Sequence, residues 1–115
     1  MPYSRGDVLL VLFPDSNLRT AKRRPALVVQ EDNLQTGLPQ LILAMVSSNP
    51  ARAGHPSRVT ILQSSPECRQ MGLRTDSVVM ADNLATILEV EIDPQLGHLP
   101  DMRAVDAALR HTLRL

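Results

Sequence analysis

Between Gly6 and Pro14 the chain reads Asp-Val-Leu-Leu-Val-Leu-Phe, an almost unbroken aliphatic stretch with none of the three-to-four residue spacing of a surface helix. A run of that length, closed by a glycine on one side and a proline on the other, reads as a β-strand buried on both faces. The pattern recurs. Residues 26–30 follow Pro25, and residues 40–47, with the core Leu-Ile-Leu-Ala-Met-Val, follow Gly37 and Pro39 and read as a central third strand. Residues 58–62 and 76–80 make two more short strands, and residues 84–88 and 96–99 read as edge strands. The segment holding Pro66 and Gly72 has room for one helical turn.

The period changes only at the C-terminus. Met102, Val105, Leu109 and Leu113 recur every three to four residues, which predicts an amphipathic helix over residues 101–114. Asp101 near its start and Arg110, His111 and Arg114 near its end suit the helix dipole. Short strands followed by one terminal helix predict a mainly β fold with a C-terminal α-helix: a small antiparallel SH3-like barrel or half-barrel, formed as one domain over residues 1–115. With one Tyr, one Phe and no Trp, its core has to be aliphatic.

Cys68 is the only cysteine, which excludes an intrachain disulfide, and the three histidines show no metal-ligand spacing with it. No cofactor or metal is expected. The longest apolar run, residues 41–46, falls far short of the roughly 20 residues that span a bilayer. No secretory leader is evident, so the chain reads as cytosolic. Twelve Lys and Arg balance twelve Asp and Glu, without the overall basic bias of a general nucleic-acid binder. The balance is uneven along the chain: Arg5, Arg19, Lys22, Arg23 and Arg24 face only Asp7 and Asp15 in residues 1–30. An anionic ligand is drawn to that segment, within a Debye length of about 8 Å at physiological salt. Residues 14–24 read as a long polar connection between buried strands, the kind of loop that carries function.

Several motifs in order resemble the MazF/PemK toxins: Arg5-Gly6-Asp7-Val8, Lys22-Arg23-Arg24-Pro25-Ala26-Leu27-Val28-Val29, Leu43-Ala44-Met45-Val46-Ser47, Gly72-Leu73-Arg74-Thr75-Asp76-Ser77-Val78-Val79 and Leu96-Gly97-His98-Leu99. The resemblance covers essentially the whole chain. It implies the CcdB/PemK type of barrel and a homodimeric, metal-independent endoribonuclease that cuts single-stranded messenger RNA at a short motif. A cognate antitoxin protein is implied as its inhibitor. Carried over residue by residue, the family's catalytic Arg before Pro falls on Arg24, and its Thr at the end of the third strand falls on Ser47. In the strand that reads Arg-x-Asp-Gln in the family this chain has Met80-Ala81-Asp82-Asn83, so Asp82 is the remaining catalytic candidate there. Ala85 likewise replaces an Arg often found in relatives.

The chemistry suits these residue types. Attack of a ribose 2′-hydroxyl on phosphorus adds negative charge, and a guanidinium presents a planar fork of donors matched to phosphate oxygens. Arg24 is thus a transition-state clamp and a candidate for proton delivery to the leaving oxygen, and Ser47 a hydrogen-bond donor to a non-bridging oxygen. Arg19, Lys22 and Arg23 read as RNA-steering charges. His55, in a polar loop, is a further RNA-binding candidate whose ordinary pKa of about 6.5 suits proton transfer. Each has a plainer reading: Ser47 as a local backbone partner, Asp82 as a turn or salt-bridge residue, and Arg5 and His55 as solvated side chains. Two other functions stay open. A catalytically degenerate toxin fold would serve as an RNA- or protein-binding module, and a CcdB-like gyrase inhibitor would share the fold, although this chain lacks the Trp-Gly-Ile ending and closes on Arg114-Leu115.

Overall fold

The computed structural model describes residues 3–115, with six strands in one antiparallel sheet: β1 (Asp7–Pro14), β2 (Ala21–Val28), β3 (Gln40–Ser47), β4 (Arg58–Ile61), β5 (Ser77–Leu88) and β6 (Ile92–His98). The order across the sheet is β4-β5-β3-β2-β1-β6, which puts β3 in its interior as expected. A short helix α1 (Pro66–Gln70) joins β4 to β5, and α2 (Arg103–Leu113) ends the chain. No helix among the described residues is long and apolar enough to cross a membrane.

Strand alternation divides the aliphatic residues between two cores. On one face Leu9, Val11 and Phe13 of β1 meet Ala26 and Val28 of β2, Leu41, Leu43 and Met45 of β3, and Met80 of β5. On the other, Val8, Leu27, Ala44, Val46 and Val79 pack under Cys68 and Met71 of the α1 region and Val105 of α2. Helices cover only the second face. The first is buried because the sheet curls on itself, bringing β1 into contact with β5 although β2 and β3 lie between them. The architecture is therefore the mainly β half-barrel with an outer helix that the sequence predicts.

The largest departures from the sequence reading fall at β2, β5 and β6. β2 begins at Ala21, not residue 26. Its first residues pair backbone to backbone with β1, through Phe13↔Lys22, Leu12↔Arg23 and Val11↔Arg24, and need no apolar pattern to do so. The presumed long connection shrinks to a turn over residues 15–20, in which the Asn17 side chain accepts from Arg19 and Thr20 N–H and Thr20 Oγ1 donates to Asp15 at 2.6 Å. The two strands expected at 76–80 and 84–88 are one 12-residue strand, β5, interrupted by a bulge: Met45 pairs with Met80 but Ala44 with Leu84, so Ala81, Asp82 and Asn83 have no partner on β3. β6 starts at Ile92, earlier than residue 96.

Along α2 the expected apolar stripe holds for Met102, Val105 and Leu109, joined by buried Ala108, while Leu113 lies exposed. Asp101 precedes the helix and accepts from the side chain and the N–H of Arg103, which together hold its carboxyl down to about 2. Arg5, which the sequence leaves open as a solvated charge, ties the N-terminus to this helix. It pairs with Asp106 and donates to the Val29 carbonyl at 3.0 Å. Cys68 is buried and donates to the Leu73 carbonyl at 3.4 Å.

Two glycines of the sequence motifs sit where α1 passes β6. A Cβ on Gly97 would overlap the Gln70 carbonyl and the Met71 backbone, and one on Gly72, whose φ is +71°, would overlap the Leu96 carbonyl. The two backbones approach too closely for any side chain. Gly72→Ala is therefore expected to destabilise the protein more than the deletion of a surface side chain, whose usual effect is within about 0.5 kcal/mol. Phe13→Ala, at a site with no solvent exposure, is expected to cost about 3–5 kcal/mol. Urea unfolding followed by circular dichroism checks both.

Candidate active site

The site begins where β2 and β3 separate. Their last paired residues are Ala26↔Met45, and the same register places Pro25 opposite Val46 and Arg24 opposite Ser47. Val28 turns its carbonyl toward the β1 side, where it accepts from Gly6, whereas the Val29 N–H donates to Ile42 on β3. By alternation Pro25 faces β3 as Val29 does, and a proline has no N–H to continue that ladder. The strands part there, and Arg24 and Ser47 line the cleft that opens between them.

This cleft, of about 430 Å³, is also lined by Arg23 and Ser48, by Arg74 and Thr75 from the segment leading into β5, and by Ser77, the first residue of β5. Ser47 is buried, and its Oγ accepts from the Asn49 N–H at 3.1 Å. That contact fixes the hydroxyl and leaves its proton for donation. Arg24 is half-buried, with Nη2 3.8 Å from Asp15 Oδ1, a distance that holds the guanidinium loosely. Arg24 also lines a second groove, of about 600 Å³, with Asp15 and Asn17 of the first turn, Arg52, Arg58, and Asp82 and Asn83 from the β5 bulge. Bulges commonly re-aim side chains beside functional sites; here the bulge delivers Asp82 to this groove.

Asp82 arrives already paired. Arg58 Nη2 donates to Asp82 Oδ2 at 2.8 Å and Nε to Oδ1 at 3.4 Å, while Nη1 donates to the Arg52 carbonyl at 3.2 Å. Hydrogen bonding from Arg58 first, opposed by partial burial and reinforced by its charge, holds the Asp82 carboxyl below its ordinary range. A carboxylate so stabilised is a weak proton acceptor near neutral pH, which argues for a positioning role over that of a general base.

The remaining candidates, Arg23 excepted, do not line the cleft shared by Arg24 and Ser47. Arg19 is exposed on the first turn, and Lys22 is exposed on β2. Arg23, also exposed, borders the cleft. His55 does not line either groove: its Nδ1 accepts from the Ser57 N–H at 3.0 Å and its ring meets that of His111 on α2 edge to face, 6.0 Å between centroids. Arg52, Arg58 and Asn17 escape the sequence reading, and Arg74 and Asn83 enter it only as members of motifs. Only the register of β4 against β5, with Arg58 opposite Met80, shows that one of them stands where the sequence appeared to lack charge. Among the described residues no group of three His, Cys, Asp or Glu side chains is arranged to hold a metal ion.

A curled β-sheet with a helix on its outer face, opened at one strand end beside a proline, makes a small β protein with a cleft lined by arginines and hydroxyls. The chain belongs to the family described as PemK-like, MazF-like toxin of type II toxin-antitoxin system, which matches residues 4–113. It is 33% identical over 119 aligned residues to Endoribonuclease MazF6 of Mycobacterium tuberculosis, with both chains fully covered. It is 30% identical over 118 residues to Endoribonuclease EndoA of Bacillus subtilis, covering all of this chain and 97% of that one. The fold matches a solved mycobacterial endoribonuclease in complex with its cognate antitoxin, with a TM-score of 0.73 at 22% identity, over 98% of this chain and 96% of that one.

The depressed Asp82 pKa makes the Arg58 pair sensitive to acid. A carboxyl whose folded pKa is lowered adds stability that is present above its unfolded value and lost as pH falls through the folded one. The pair is partly exposed, so its contribution is about 0–1 kcal/mol. Carboxyl carbon NMR is expected to show Asp82 titrating below the ordinary 3.8, and Arg58→Ala to move that midpoint upward.

Proposed function

We propose that this protein is the toxin of a type II toxin–antitoxin pair and acts as an endoribonuclease on single-stranded messenger RNA. The observation that carries the reading is that Arg24 and Ser47, opposite each other in register, line one cleft where Pro25 ends the β2–β3 ladder. The names of the relatives support it.

In the proposed reaction the scissile phosphate lies between Arg24 and Ser47. The ribose 2′-oxygen attacks phosphorus as its proton passes to water, the bond to the 5′-oxygen breaks, and that oxygen takes up a proton delivered by Arg24, which water restores. The products are a 2′,3′-cyclic phosphate, or the 3′-phosphate left by its hydrolysis, and a 5′-hydroxyl. Charge building on the non-bridging oxygens is met by the fork of Arg24 and the free proton of Ser47, neither of which needs a metal. Arg19, Lys22 and Arg23 steer the anionic strand toward the cleft. The protein works as a cytoplasmic homodimer, and a cognate antitoxin inhibits it by covering Arg24. A second reading, a binding module without catalysis, draws on Met80 at the groove floor where a cation would otherwise stand.

Incubation of the wild-type protein with mixed single-stranded RNA in EDTA, with the cut ends mapped, separates the two. The expected outcome is cleavage leaving 5′-hydroxyl ends, lowered about 100- to 1,000-fold by Arg24→Ala. Cleavage that appears only on adding a metal overturns the mechanism, and binding by folded protein without any cleavage favours the second reading. Ser47→Ala is expected to lower kcat in the same assay, while Ser47→Thr, which keeps the hydroxyl, retains activity.

A further inference from the structure

The groove on the far side of Arg24 carries a second cationic centre with no part in the chemistry described above. Its register is explicit: Ala26↔Met45, Met45↔Met80 and Met80↔Arg58 are successive partners across β2, β3, β5 and β4. Directly opposite residues share a sheet face, so Arg58 stands on the face of Ala26, and Arg24, two residues before Ala26, stands there too. Met45 and Met80, both buried, form an apolar floor between them.

Three of the five N–H donors of Arg58 are engaged, two by Asp82 and one by the Arg52 carbonyl. One donor on each terminal nitrogen is left, and both are available to phosphate oxygens. Asp82 acts as a splint, fixing the plane of the guanidinium so that little side-chain freedom remains to be lost when an anion binds. Arg58 is about a fifth exposed and opens on the same groove as Arg24. A nucleobase is a poorer fit. The Asp82 carboxylate is occupied, and neither aromatic ring of the chain lines the groove to offer a stacking platform.

We propose that Arg58, splinted by Asp82, binds the phosphodiester adjacent to the scissile one. Arg24 and Arg58 then grip consecutive phosphates of one strand, and β4 supplies from the neighbouring strand the positive charge that position 80 lacks. The inference rests on the reading of the Arg24–Ser47 cleft as the point of cleavage, and it concerns binding alone.

The test measures binding of single-stranded oligonucleotides made uncleavable by 2′-deoxy substitution, by fluorescence anisotropy over a range of salt, for wild type and Arg58→Gln. Removing one phosphate contact is expected to flatten the slope of log affinity against log salt by about 0.7. Affinity is expected to fall by the same factor for oligonucleotides of different sequence, and KM for cleavable RNA to rise with kcat changed less than twofold. Arg58→Lys, which keeps the charge, is expected to restore the slope and guards against a misfolded variant. An unchanged slope overturns the proposal, as does a loss confined to one base identity, which would make Arg58 a base reader. If wild type binds but never cuts, the ribonuclease reading fails while the slope still decides on Arg58.

Discussion

A single missing N–H organises this site. Pro25 lies on the side of β2 that faces β3, where it has no donor to offer. Had the β2–β3 ladder continued one pair further, Arg24 and Ser47 would flank a closed seam of sheet instead of a cleft. The motif Arg-Pro at a strand entrance thus has a mechanical meaning. The arginine is held by β1 through its backbone pair with Val11 while its other flank is opened by the next residue. β1 can hold it because its own residues are locked into both cores. The aliphatic packing that stabilises the protein is also what keeps the arginine in place.

The β5 bulge is the second device of this kind. Three residues without partners on β3 allow one long strand to pair with β3 on both sides of the interruption and to deliver Asp82 into the groove. There Asp82 meets Arg58, whose position on β4 is set by its pairing with Met80. Charge in the site is therefore pooled from β2, β4, the first turn and the segment before β5. A chain with no net charge nonetheless gathers Arg24, Arg52 and Arg58 along one groove. Local placement, more than global balance, decides how a strongly charged polymer is met.

Much of the fold was legible because its strands are short aliphatic runs punctuated by Gly and Pro; residues 40–47 were delimited to the residue. What escaped was structure without a hydrophobic signature. Lys22 to Arg24 form a strand through backbone pairing alone, and the Asp82 bulge looked like a break between two strands because its polar residues interrupt the alternation. In the proposed site, the motif singles out Arg24 and Ser47, and strand register sets the two positions opposite each other. The place of Arg58 in the groove has no local sequence signal, because it depends on which strand lies beside β5, a long-range pairing that local pattern does not encode. His55, suggested by chemistry and loop position, lines neither groove and sets its ring against that of His111 on the C-terminal helix.

The most direct measurement is a crystal structure of the protein with an uncleavable single-stranded oligonucleotide whose ribose 2′-hydroxyl is replaced at the cut position. The account predicts a phosphate seated in the Pro25 cleft, with the Arg24 guanidinium and Ser47 Oγ both in hydrogen-bond contact with its non-bridging oxygens. An oligonucleotide bound on another face, with the cleft empty of phosphate, would contradict it.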